Sequence, residues 1–219
     1  FGVFLFAWVG LLAVKTVEYS SIWGDSVVVS EMAYHNYPDS WETRLIMLRT
    51  YSQTAMRLIE KGEPDRALDY VRRALKIKPD YADAYLVRAH ALEQQGKEAE
   101  ALRAYRRALK IRSDYGNIYL NRGVLFARLG EFDRSEIEFK RSIVLGKESA
   151  EAHYNLGLIC EIRGDLKAAE KEFRRALELN PNSPEVYRRL ADVLEKRGRG
   201  AELRKLKNEA MKSGVRLFE

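Results

Sequence analysis

Cysteine is almost absent from the chain. Cys160 is the single one among 219 residues, which excludes an intrachain disulfide. Proline is nearly as scarce, with five residues, so little interrupts helical structure. The three histidines, His35, His90 and His153, stand far apart and lack metal-ligand spacing. No glycine-rich loop is present that could cradle a phosphate. Neither sign of charge dominates, with 38 Lys and Arg against 32 Asp and Glu and a net charge of +6. No catalytic constellation, cofactor box or metal cluster is visible, so the chain reads as a non-enzyme without a cofactor.

What is present is a period. Pro79, Ser113, Lys147 and Pro181 stand 34 residues apart, and five positions before each comes a small residue: Ala74, Ala108, Ser142 and Ala176. An aromatic or His recurs at Tyr51, Tyr85, Tyr119, His153 and Tyr187. Four positions later lies Ala55, Ala89, Gly123, Gly157 or Ala191, and three beyond that Leu58, Leu92, Phe126, Cys160 or Leu194. Steps of 4 and 3 trace one helical stripe. Glycine follows at 62, 96, 130, 164 and 198, where a left-handed residue can end a helix. A second helix then carries Ala67, Ala101, Ser135 or Ala169, followed by a bulky Val71, Tyr105, Phe139 or Phe173. Each unit is therefore a helical hairpin, and repetition at fixed period marks a stacked array.

These positions resemble the tetratricopeptide repeat, most fully in AEAHYNLGLICEIRGDLKAAEKEFRRALELNPNS from Ala150 to Ser183. His153 and Cys160 stand there in place of the family's usual aromatics. The resemblance implies an all-α fold, a right-handed superhelix of helical hairpins. Repeats are expected at 48–81, 82–115, 116–149 and 150–183, with a partial fifth repeat and capping helix over 184–219. Cys160, on the buried stripe without a basic neighbour, is expected to behave as a small hydrophobe. Glu98, Glu131, Glu136, Glu170 and Glu172 are expected on helix exteriors, in solvated pairs with Lys and Arg.

The N-terminus differs. Phe1 to Val14 carries no charge. Fourteen helical residues span about 21 Å against a hydrocarbon thickness of about 30 Å, so a membrane helix over residues 1–22 would begin upstream of Phe1. After Lys15 no Lys or Arg occurs until Arg44, whereas Glu18, Asp25, Glu31, Asp39 and Glu42 intervene, which favours an extracytoplasmic array. Residues 23–47 read as a degenerate leading repeat and junction. Ser26 to Tyr37 matches a second helix, and Ser40 can cap the next one. From Pro38 to Pro79 is 41 residues, the period plus 7, so an unusually long helix is expected from Trp41 to Glu60. The terminal basic face, Arg204, Lys205, Lys207 and Lys212, reads as a solvated cap, without the aromatic interleaving of a nucleic-acid surface.

In a right-handed stack the first helices line the concave surface. The resemblance implies a peptide or partner groove formed by Met56, Leu86, His90, Leu120, Asn121, Val124, Arg128, Tyr154, Asn155, Leu158, Arg188 and Arg189, with Gln53, Gln94 and Asp192 beside them. Asn121 and Asn155 occupy one slot in successive repeats, resembling an asparagine ladder that grips a peptide backbone. The expected function is a membrane-anchored scaffold that holds a protein partner or assembles a membrane complex, as a subunit of something larger. The alternative comes from the junction Ile22 to Asp25 and Pro38, which resembles the end of transmembrane-and-tetratricopeptide glycosyltransferases. On that reading the chain is an extracytoplasmic recognition tail.

Overall fold

In the computed structural model of the chain, residues 26–146 and 149–215 are described, and the apolar run and expected membrane helix over 1–22 lie outside them. Regular structure among the described residues is all helical, with eleven helices and no strand. No helix among them is long and apolar enough to cross a membrane. The chain divides into two compact units, Phe1–Ser113 and Asp114–Glu219.

The first unit contains α1 (Ser26–Asn36), α2 (Trp41–Glu60), α3 (Pro64–Ile77), α4 (Ala82–Gln94) and α5 (Glu98–Ile111). Each helix packs on the next, and α2 also meets α4, so the hairpins α2–α3 and α4–α5 stack in chain order. The long helix spans Trp41–Glu60, 20 residues against 13 in α4. Ser40 caps it, its hydroxyl accepting from Thr43 N–H at 3.5 Å. The leading helix stops at Asn36, one residue short of expectation, because Tyr37 and Pro38 turn the chain. Its tie to α2 is partly polar: the buried Ser30 hydroxyl meets Thr50 Oγ1 at 3.1 Å.

The second unit repeats the pattern with α6 (Gly116–Arg128), α7 (Phe132–Gly146), α8 (Ala150–Ile162), α9 (Leu166–Leu179), α10 (Pro184–Lys196) and α11 (Gly200–Lys212). Here too each helix packs against its successor, and α6 meets α8. The last helix covers the end of the core, burying Leu206 and Ala210 against Leu190 and Leu194, with Val215 closing the edge.

Both periodic signals have visible physical causes. At the first turn Gly62 has φ +77°, its N–H reaches Ile59 O at 2.9 Å, and Glu63 N–H reaches back to Leu58 O at 2.9 Å. This pair of bonds satisfies carbonyls that the helix end leaves open, and glycine takes that φ without the backbone strain a Cβ brings. The same pair recurs at 96, 130, 164, 198 and, beyond the expected series, at Gly214. Inside the hairpins the small residue makes room for the knob. A Cβ on Gly157 would stand 2.5 Å from the Phe173 ring, and one on Gly123 would stand 2.7 Å from Phe139. Both rings are wholly buried, each contributing about 2–3 kcal/mol of apolar transfer.

Candidate functional site, the face of the first helices

In the first unit the relevant face belongs to α2 and α4. Met56 is half-buried against the core, Leu86 is half-buried, and Gln53 is exposed. His90 lies edge-on to Tyr105 with ring centroids 6.0 Å apart. Burial holds its pKa below the ordinary imidazole value, so the ring is neutral at pH 7. Gln94 does not offer its amide outward, since Nε2 donates to Ile59 O of α2 at 2.7 Å.

In the second unit the corresponding residues lie on α6, α8 and α10. Val124, Tyr154 and Leu158 are half-buried, each with one side packed on the core and the other open. Tyr154 rests tilted on Phe173, centroids 5.9 Å apart. Leu120 departs from expectation. It is a core residue beside Phe139, Ala152 and Leu156, because its side chain points at the next hairpin and not at solvent. Asn121 is half-buried and Arg128 exposed. The Asn155 amide donates to Glu151 O at 2.9 Å, one turn back on its own helix. Arg188 is exposed and pairs with Glu185 at 3.4 Å, and Asp192 is exposed on the same helix. Arg189 lies 3.8 Å from Glu161, whose other oxygen takes Lys196 at 2.7 Å. A cleft of about 200 Å³ opens where α8 and α10 begin, with Glu151, Tyr154, Ser183 and Val186 in its wall.

Two larger clefts contain none of the expected groove residues. One, of about 360 Å³, lies along α3, α4 and α5 of the first unit between Leu68, Arg72, Arg88 and Gln95. The other, of about 430 Å³, lies along α9, α10 and α11 between Leu177, Tyr187, Leu206 and Lys212. Both fall beside second helices, away from the face that periodicity singled out.

Among the carboxylates, Glu131 forms the expected exposed pair, with Arg134 at 2.6 Å, but Glu170 departs from it. Glu170 is a buried group. Burial alone would raise its pKa, but the hydrogen bond from Arg174 and the charges of Arg199, Arg174 and Arg197 outweigh it, and the carboxyl sits below its usual range. The neighbouring repeat carries a relative of this cluster 34 residues earlier. Glu136 takes Lys140 at 2.6 Å and Arg163 of the following hairpin, where Glu170 takes Arg174 and Arg197. Hydrogen bonds from Lys140 and Arg163 lower the pKa of Glu136. Each cluster joins a second helix to the end of the next first helix, so these charges fasten successive hairpins. Glu138, unremarked in the sequence, is buried and receives Arg122 Nε at 2.9 Å and Nη2 at 2.7 Å. Glu172, one period later, takes Nδ1 of His153 at 2.7 Å. The repeat of Glu at 138 and 172 was the available signal.

Cys160 is half-buried, and burial first, then the nearby carboxylates Glu172, Asp165 and Glu136, push its thiol pKa up. A protonated thiol is a weak nucleophile. No group of His, Cys, Asp and Glu among the described residues is arranged to hold a metal ion.

Three family models, all tetratricopeptide repeats, match residues 58–103, 89–130 and, for the third, 120–184 and 163–202, which together run without a gap from 58 to 202. The chain belongs to the tetratricopeptide-repeat family. Solved structures share the fold. PilF of Pseudomonas aeruginosa superposes with a TM-score of 0.72 at 23% identity, over 79% of each chain. PilW, a type IV pilus biogenesis factor, gives 0.65 at 24% identity, over 76% of this chain and 77% of its own. YrrB, described as having an unusual peptide-binding site, gives 0.60 at 17% identity, over 84% and 91%. No curated protein matches the chain. As a tetratricopeptide-repeat protein it is a scaffold of stacked hairpins, an architecture that presents extended faces to protein or peptide partners. Proteins of this class are generally not catalysts.

Proposed function

We propose that the tetratricopeptide array holds a protein partner on the α6–α8–α10 face, by an extended or helical segment of that partner. The observation that carries this reading is the make-up of the face. Three half-buried apolar side chains, Val124, Tyr154 and Leu158, form a floor. Amides at Asn121 and Asn155 and guanidinium groups at Arg188 and Arg189 edge it. A floor of this kind contributes affinity by burying apolar surface, and the polar edge sets register through backbone and charge contacts. Asn155 is bonded only to its own helix, so its amide can turn to a ligand at the cost of one solvent-exposed bond.

Attachment to a membrane through residues 1–22 belongs to the same proposal, with the array on the extracytoplasmic side as part of a membrane complex. The uncharged stretch Phe1–Val14 and the acidic flank that follows it support this. The YrrB description names a peptide-binding site in a protein of the same fold, which supports a peptide as the class of ligand.

The test is a photo-crosslinking amino acid placed at Leu158, with Arg175 on α9 as a control position, in membranes of cells making the full chain. A partner trapped at 158 and not at 175 is expected. Replacing Asn121 and Asn155 together by Ala should weaken its capture about tenfold, the equivalent of one to two lost hydrogen bonds. Equal capture by the double variant would reject this face.

A further inference from the structure

We propose that the first hairpin, α1 with α2, lies in the headgroup layer of a lipid bilayer, with Met32, Trp41 and Leu45 in contact with lipid. The inference rests on the membrane attachment proposed above and adds a second contact to it. Its basis is where apolar side chains are left open. In the first unit every exposed large hydrophobic among the described residues falls between Val28 and Leu45, and none lies between 46 and 113. Trp41 is 70% exposed, Met32 62% and Val28 50%, with Tyr37 and Leu45 beside them. Val28 and Met32 are one turn apart on α1, Trp41 and Leu45 one turn apart on α2, and Tyr37 lies in the connection.

The repeat register shows that this is a departure from pattern and not ordinary scatter. The positions 41 residues after Val28 and Met32, matching them in α3, are Asp69 and Arg73, both exposed and charged. In α5 the same slots hold Arg103 and Arg107, in α7 the exposed Ile137 with Arg141, and in α9 Lys171 and Arg175. Only the hairpin nearest the uncharged stretch replaces both by apolar residues. Trp41 and Leu45 belong to the seven extra residues of α2, two turns that extend beyond the start of α4 and so have no first-helix neighbour there.

The occupant follows from the chain itself. Eleven residues, Lys15 to Asp25, separate Val14 from α1. Even fully extended they reach about 40 Å, so whatever receives Phe1–Val14 is held close to this hairpin. Aromatic side chains with a polar edge favour the boundary between headgroups and acyl chains, and Tyr37 and Trp41 provide them. Two of the charges beside the patch, Arg44 and Glu31, are already matched, while Glu42 takes only the Ser40 hydroxyl. Arg44 donates to Pro38 O at 2.7 Å and pairs with Asp39 at 3.2 Å, and Glu31 takes Tyr51 at 2.9 Å and Arg73 at 3.0 Å. Bringing them to an interface therefore adds little unpaired charge.

The full chain carries three tryptophans, at 8, 23 and 41. With Trp8→Phe and Trp23→Phe, Trp41 becomes the only indole reporter. The protein is reconstituted into phosphatidylcholine vesicles, floated on a density gradient, and its emission is compared with that in vesicles whose lipid is brominated near the headgroup end of the acyl chain. Immersion by about 5–10 Å brings the indole within reach of the bromines, so emission should fall by about half. Adding Met32→Lys and Leu45→Lys should restore most of the emission while flotation persists. If the chain floats and Trp41 is unquenched with solvent-like emission, the hairpin contact is overturned and the attachment stands. Blue-shifted but unquenched emission means that protein, such as residues 1–14, covers Trp41, and also overturns it. Quenching unchanged by the two lysines overturns it as well. Failure to float removes the attachment and this contact together.

Discussion

At the scale of single residues, the array depends on side chains that fit one another across a hairpin. Gly157 and Phe173 illustrate the balance. Alanine at 157 gains about 1 kcal/mol in helix propensity but places a methyl at 2.5 Å from a ring that is wholly buried. Overpacking of a tight core costs about 1–3 kcal/mol, so after the propensity gain Gly157→Ala should destabilise the second unit by up to about 2 kcal/mol in urea unfolding. Adding Phe173→Leu, which frees the space, should recover part of that loss. Glu170 gives a pH-dependent counterpart. Its folded pKa lies below the ordinary 4.5, so its contribution is present above that pH and disappears as pH falls through the folded value. His90 acts in the same direction at higher pH. Its folded pKa is below 6.5, so the folded state resists protonation and loses stability as pH drops under that value. Thermal midpoints should be flat above pH 7, sag gently below it and fall steeply under about pH 4.5. Glu170→Gln should lose about 2–3 kcal/mol at pH 7, where it leaves three arginines without their buried anion, and should show a shallower acid limb. A variant with an unchanged limb would show that Glu170 is not among the groups titrating there.

Polar contacts between helices can be tested in pairs. The buried bond between Ser30 and Thr50 joins α1 to α2. Thr50→Val alone removes one partner of the buried Ser30 hydroxyl and should cost about 1 kcal/mol, and the Thr50→Val, Ser30→Ala pair should cost less than the sum of the two single changes. Additive losses in such a cycle would mean that the two hydroxyls do not interact in solution. The ion clusters at Glu136 and Glu170 are the charged equivalent in the second unit, each holding a second helix to the end of the next first helix. They explain why Arg163 and Arg197, one period apart, are not free to serve a ligand.

Across the whole molecule, the task of α11 is to cover the apolar face that α10 presents. Leu206, Ala210 and Val215 perform it. Ending the chain after Lys196 should cost the second unit about 4 kcal/mol, the transfer energy of those side chains, and should appear as a lower urea midpoint and increased binding of a hydrophobic dye. A truncated chain as stable as the full one would show α11 to be dispensable. Partner capture on the α6–α8–α10 face and lipid contact at α1–α2 concern different surfaces, so either can fail without the other.

The helical hairpins, the turns between them and the long helix Trp41–Glu60 were all legible in the amino-acid order. They follow from local rules repeated at fixed spacing: an apolar stripe of 4 and 3, a glycine that accepts φ near +70° without strain, and an insertion of two whole turns. The family pattern also led to Val124, Tyr154 and Leu158, which are half-buried on α6 and α8. Burial of Leu120, Glu138 and Glu170, the inward bond of Gln94 and the apolar exterior of α1 were decided by tertiary structure. Whether a side chain is covered, and by which charge it is neutralised, depends on the neighbouring hairpin. That neighbour approaches from dozens of residues away, and no local spacing specifies its contacts.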